Sequence, residues 1–248
     1  MKSVKKTLLQ RRSIRRYERE NISAEDIDFI YQAIRNTPTS YNGQQFSVID
    51  VTDQQLKEKL YELTGQKQIK TCNHFLVFCA DYNKIRTIAN AKKIEMPPFE
   101  KTGDGVIVGI VDAALAMMSA LIAAESCGLG TCCIGYTRTA APKEIGLLLQ
   151  LPAGVFIVCG LAIGVPREQP DLKPKQPTEL VIHQNGYKND SVADLLLKYD
   201  EIISEYNNNR SGTKTDNDWA AHIIDYYKMA MNYKMLDALQ QQGFDIKS

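Results

Sequence analysis

Residues 105–128 read GVIVGIVDAALAMMSALIAAESCG, an almost wholly apolar run broken by Asp112 and, near its end, by Glu125. Length alone would let this run cross a bilayer. A carboxylate near the middle of such a span costs roughly 2.5–3.5 kcal/mol on insertion scales. Ala, Met and Ser outnumber Leu and Ile, and no Lys or Arg flanks the run closely. The run therefore reads as a helix at about 105–127, buried in the centre of a soluble domain. A helix apolar on every side must be covered on every side. One small sheet cannot do that, so a second copy of the chain is expected to supply the rest.

Outward from this helix the elements alternate without a strict βαβ period, which favours an α+β domain. Gly128-Leu129-Gly130 ends the helix, since glycine reaches the left-handed cap without a Cβ penalty. Residues 131–136 and 155–165 read as strands after it, and 46–51 and 75–80 as strands before it. Further helices are expected at 3–11, at 54–63, at 84–93 and from Pro142, the last begun by proline at its first turn. Ser23 with Asp26 three residues on is an N-cap, and Ile27, Ile30, Tyr31 and Ile34 follow at helical spacing. The stretch 37–43 (TPTSYNG) is a turn-rich loop, and 96–99 (MPPF) a mobile one. Residues 166–177 carry four prolines and form an extended wrap. Amphipathic helices over 191–206 and 217–241 make up a C-terminal extension (190–248) to a single domain covering 1–248, with a polar stretch at 207–216 between them.

The composition narrows the function classes. The 248 residues carry 30 Lys+Arg against 29 Asp+Glu, a formal charge of +1, with 24% charged and 44% hydrophobic residues. These are the proportions of a soluble globular protein. A balance so near neutral argues against general nucleic-acid coating. The first six residues, MKSVKK, are charged rather than apolar, so no export signal is expected. Six cysteines without a CxxC pair read as reduced, buried thiols of a cytoplasmic protein. Three scattered histidines (74, 183, 222) without HExxH argue against a zinc site.

Four constellations could carry chemistry. Residues 11–16 (RRSIRR) bring several guanidiniums and a hydroxyl within reach of a dianionic phosphate. The same run also suits a solvated basic face or a patch for anionic lipid or nucleic acid. Residues 39–44 (TSYNGQ) offer hydroxyls and amides to a polar ligand edge, or form an ordinary turn. Residues 128–136 (GLGTCCIGY) place Gly135 after an apolar strand, where a flat ligand could approach the backbone, or where a bulge could lie. They are not a GxGxxG dinucleotide fingerprint. Residues 171–175 (DLKPK) hold two lysines on a proline-stiffened segment. No nucleophile–base set emerges, so if the chain is an enzyme a bound cofactor carries the reaction.

Taken in order, RRSIRRY, the loop ending in Gln44, LTGQKQ at 63–68, FCAD at 78–81, ALIAAESCGLGTCCIG at 120–135 and PDLKPK at 170–175 resemble the nitroreductase superfamily. The likeness is to its oxygen-insensitive NADPH nitroreductase and flavin reductase branch. It runs on through YDE at 199–201 and DWAAHI at 218–223. The resemblance implies an α+β nitroreductase-like fold with a mixed or antiparallel central sheet, and a homodimer wrapped by the C-terminal helices, with FMN at the subunit interface. It implies ping-pong transfer from NADPH through FMN to a nitroaromatic, a quinone or free flavin, with no catalytic protein residue, no metal, no nucleic acid and no membrane.

Carried over by position, Arg11, Arg12, Ser13 and Arg15 would meet the phosphate, ribityl chain and ring edge. Thr39, Ser40, Gln66 and Gln68 would bond the ribityl and ring polar atoms. Cys133, Ile134, Gly135 and Tyr136 would run beside the ring. Lys173 and Lys175 would complete the phosphate site, and Arg210 and Lys214 would grip the NADPH 2′-phosphate. The chain departs from the pattern at Arg11, where relatives carry His, and at Asn42, where a relative carries a bulky apolar residue. In the 209–216 loop a second arginine is missing and Asp216 stands. The rival reading is a non-catalytic FMN carrier or a basic-surface binding module.

Overall fold

Residues 2–215 and 217–244 are described by a computed structural model. In chain order the first half contains α1 (Val4–Gln10), α2 (Ala24–Arg35), β1 (Phe46–Val51), α3 (Gln54–Thr64), α4 (Lys67–Thr71), β2 (His74–Asp81), α5 (Asn83–Lys92) and α6 (Gly103–Ser126). The second half contains β3 (Gly130–Ile134), α7 (Tyr136–Thr139), α8 (Pro142–Leu148), β4 (Val155–Gly164), α9 (Thr178–Val181), α10 (Val192–Asn209), α11 (Trp219–Ala230) and α12 (Met235–Gln241). The strands form one antiparallel sheet in the order β1-β2-β4-β3. The three short helices α4, α7 and α9 were not foreseen. Each is a single turn or little more, too short for a periodic signal.

Strand alternation explains why the sheet is covered on both faces. From β2, Leu76, Phe78 and Ala80 pack with Ala113, Ala116, Ala120 and Ala124 of α6 and with Ile30 and Ile34 of α2. The intervening Phe75, Val77 and Cys79 point the other way, to Leu60, Ile69 and Ile145. A register shift between Phe78 and Cys79 marks a bulge in the β2–β4 pairing. The alanine row lets α6 lie close on the sheet. Asp112 within it is fully buried, as the central-helix reading requires. Gly128 at φ +88° turns the chain out of α6 and into β3.

The 96–99 segment before α6 leads into a 3-10 turn, Phe99–Lys101. Phe99 meets Tyr82 edge-on at 6.0 Å, and Arg86 Nη2 donates to the buried Glu100 at 2.5 Å. Phe244 also packs on Tyr82 and on Phe156.

Pro170–Tyr233 forms a compact unit of its own. Within it Tyr199 and Trp219 pack edge to face at 5.7 Å, and Asp200 Oδ1 accepts the Ala220 N–H at 2.9 Å, which joins α10 to α11. No residue of α11 is buried.

Candidate functional site

After α1 the backbone of residues 11–17 runs extended beside β3. Ser13 makes a parallel bridge to Thr131, and Ile14 N–H donates to the Thr131 carbonyl at 2.8 Å. Gly130 is what permits this, because a Cβ there would lie 2.8 Å from Ile14 Cβ. Ile14 and Tyr17 anchor the segment in the core. The arginine run is thus held on the free edge of the sheet and not on a helix face.

Two acids that the motif reading did not single out set this run in place. Glu125 Oε1 lies 3.7 Å from Arg11 Nε and accepts the Thr131 hydroxyl at 2.5 Å. Burial pushes the Glu125 pKa up, against the Thr131 hydrogen bond and the Arg11 charge. Glu168 Oε1 accepts the Arg15 N–H at 2.6 Å, and its Oε2 lies 3.7 Å from Arg16 Nε. The Arg11 contact is an ion pair too long for a hydrogen bond, so the buried Arg11 Nε has no hydrogen-bond partner among the described residues. An open cleft of about 560 Å³ adjoins the run, lined by Lys6, Arg12, Glu125, Arg167 and Glu168 among others. The only hints in the sequence were isolated acids: Glu125 ending an apolar helix, and Glu168 in a proline-rich wrap.

Several of the expected residues gather at β3. Gln68 is buried on α4 and donates to Gln66 Oε1 at 2.9 Å, and burial pushes the Cys132 thiol pKa up, against the Arg15 charge and a Gln68 hydrogen bond. Cys133 and Ile134 are the last residues of β3. The strand does not continue through Tyr136 as expected. Gly135 is already helical, Tyr136 opens α7, and the Thr137 hydroxyl donates to the Ile134 carbonyl at 2.7 Å. The polar cap ends the ladder where hydropathy would have extended it.

The thiols also depart from expectation. All six are free, but Cys133 is exposed and Cys127 only half-buried. Although Cys133 reaches solvent, the packed strand around it desolvates the thiolate and pushes its pKa up to about 11. Its alkylation by iodoacetamide is therefore expected to run roughly 10- to 30-fold slower at pH 7.5 than at an ordinary exposed thiol of pKa ~8.5, the smaller thiolate fraction being partly offset by higher nucleophilicity. The rate should climb tenfold per unit up to about pH 11. A plateau near pH 8.5 in a mass-spectrometric rate series would contradict this environment.

Thr39 and Ser40 sit elsewhere. Thr39 Oγ1 accepts the Gln44 N–H at 3.1 Å, and Ser40 N–H donates to Asp112 Oδ1 at 3.0 Å. Asp112 precedes Glu125 by 13 residues on α6, a rise of roughly 20 Å. A single chain therefore does not bring the 39–44 loop onto the arginine run.

The remaining candidates belong to the second unit. Lys173 and Lys175 are exposed on a segment tied to α10 through the Tyr199 hydroxyl, which donates to the Pro174 carbonyl at 3.2 Å. Asp171 Oδ2 accepts both the N–H and the hydroxyl of Ser211, at 2.7 and 2.8 Å. That pairing places the start of the 209–216 loop beside the lysine segment. Arg210 is half-buried, and its buried Nε lacks a hydrogen-bond partner among the described residues. Lys214 is exposed, and Asp216 lies outside the described residues.

An antiparallel sheet covered on both faces, with an arginine strand on its edge and a helical C-terminal unit, defines a known class. The chain belongs to the nitroreductase family: the Nitroreductase family model matches residues 8–165, and the Nitroreductase family, C-terminal domain model matches residues 173–247. It is 39% identical to FMN reductase [NAD(P)H] of Bacillus subtilis, over the full length of both proteins. It is 36% identical to the oxygen-insensitive NADPH nitroreductase of Salmonella typhimurium, with 94% of each chain covered. The solved structure of B. megaterium NfrA2 superposes with a TM-score of 0.94 at 36% identity over the whole of both chains. The nitroreductase-like α+β fold expected from the motifs is thus confirmed.

Proposed function

We propose that this chain is an FMN-dependent oxidoreductase that takes hydride from NADPH, or from NADH, and reduces nitroaromatics, quinones or free flavin by a ping-pong two-electron exchange. The observation that carries the reading is the arginine strand, locked to β3 by Glu125, Thr131 and Glu168, with a buried Arg11 Nε left to donate. This edge suits a dianionic phosphate, because the backbone that carries the arginines is fixed before any ligand arrives and less ordering remains to be done on binding. FMN, when bound, supplies the two-electron chemistry.

The chain supplies position and charge. Arg11, Arg12, Ser13 and Arg15 would hold the phosphate end, and Lys173 and Lys175 are further phosphate-binding candidates on the second unit. Gln66 and Gln68 would bond the polar atoms of the middle and ring, beside the Cys133–Tyr136 backbone. Thr39 and Ser40 would serve the site of a partner subunit.

A homodimer is supported by α6 itself. Ile107, Val111, Leu115 and Met118 line one face of this helix and are 38–60% exposed. An apolar stripe of this kind marks an association surface. Tyr226 and Tyr227 of the unburied helix α11 are exposed as well, which suits an arm laid over the partner. Six free thiols suit the reducing cytoplasm.

The test of the reading is direct. The purified protein should be yellow, bleach with NADPH under argon and recolour with a quinone. Failure to bind FMN on reconstitution, or to consume reduced nicotinamide, would end it. For the donor, Arg210→Ala is expected to lower kcat/KM for NADPH roughly 10- to 100-fold, the value of one charged hydrogen bond. NADH turnover should change less than about threefold, since that donor has no 2′-phosphate. Equal losses with both donors would place Arg210 outside the 2′-phosphate site.

A further inference from the structure

Between Gly105 and Ala124 helix α6 carries only two polar side chains, Asp112 and Ser119. Both are spent on the same loop. Asp112 Oδ1 accepts the Ser40 N–H at 3.0 Å, and Ser119 Oγ shares a hydrogen bond with Thr37 Oγ1 at 2.9 Å. They stand seven residues apart, two turns of one helix face. The loop they hold is conformationally expensive. Tyr41, Asn42 and Gln44 all have left-handed φ, at 58°, 53° and 51°, and non-glycine residues stay in that region only where surrounding contacts impose it.

Asp112 itself is 0% exposed, and its Oδ2 has no hydrogen-bond partner among the described residues. Burying a carboxylate is costly unless it is fully paired. A neutral acceptor would satisfy the same backbone N–H. The hydrogen bond it does make goes to the loop backbone, so the loop is what this buried acceptor serves.

We infer that Asp112 is a positioning residue: it clamps the Ser40 N–H and so fixes the strained 39–44 loop in the shape that presents Thr39 and Ser40 to flavin. The inference rests on the flavin reading proposed above. Its core, however, is a property of the loop in the unliganded protein, and can be read there.

The experiment compares wild type with Asp112→Ala, Asp112→Leu and Asp112→Asn, using amide hydrogen exchange over residues 37–46 in apoprotein and FMN titration followed by flavin fluorescence. Asp112→Ala and Asp112→Leu should speed exchange of the loop tenfold or more, leave β2 and β4 protected, and raise the FMN Kd at least tenfold. Asp112→Leu fills the volume that alanine vacates, so it serves if the alanine variant does not fold. Asp112→Asn keeps an acceptor for Ser40 and should restore both readouts to within about threefold of wild type. Wild-type loop exchange in the alanine and leucine variants overturns the clamp. So does exchange raised evenly through the sheet, which would make Asp112 a general structural residue. Wild type that shows the protected loop but binds no FMN would remove the flavin reading and leave the clamp intact.

Discussion

Replacing Arg12 and Arg15 together by alanine is expected to raise the FMN dissociation constant by a factor of about 10² to 10⁴. Each charged hydrogen bond to phosphate contributes ~1.5–3 kcal/mol, and 1.4 kcal/mol is tenfold in affinity. The fold should survive, because the segment is anchored by Ile14 and Tyr17, by the Ile14 N–H to Thr131, and by the Arg15 backbone N–H to Glu168. None of those contacts uses the deleted guanidiniums. Riboflavin, which lacks the phosphate, is the control, and its affinity should change little. Equal weakening of FMN and riboflavin would show that the two arginines act on the ring or on the fold, and an unchanged FMN constant would remove them from the site.

The second large effect concerns association. Val111→Arg combined with Leu115→Arg is expected to turn a dimer into a monomer at low micromolar concentration in sedimentation. The two side chains are 44% and 42% exposed, one helical turn apart on the apolar stripe of α6. Two unpaired cations in a buried interface cost several kcal/mol each. Their distance from the sheet-facing alanines leaves the core untouched, so the monomer should keep its far-UV circular dichroism. It should also lose FMN, because the 39–44 loop lies roughly 20 Å along α6 from the arginines of its own chain. A double variant that still sediments as a dimer would refute this interface. A monomer that keeps full FMN affinity would refute the contribution of the partner loop.

Much of the scaffold was legible from local signals. The apolar run of α6 with its glycine exit, the Ser23 cap of α2, the proline opening α8 and the unbroken apolar strands β2 and β4 each rest on interactions within a few residues. What was misread involved competition between local pattern and a distant partner. Hydropathy extends β3 to Tyr136, but the Thr137 hydroxyl and the Arg138 guanidinium, which donates to the Val158 carbonyl at 2.9 Å, turn the chain into α7. The 96–99 loop looks free in sequence, yet Phe99 at its end packs on Tyr82, and Arg86 holds the Glu100 that follows it.

The sequence by itself determined the α+β scaffold, the long apolar helix and the supply of cations, hydroxyls and amides. These follow from residue type and short-range spacing, which act along the chain. Only the tertiary structure decided which of those groups share a place. It put Arg11 against Glu125 and Arg15 against Glu168, and it set Ser40 on Asp112, far from both. Those pairings join residues 72 to 153 positions apart, and nothing in spacing or hydropathy encodes a contact formed only when a helix, a strand edge and a loop meet in space.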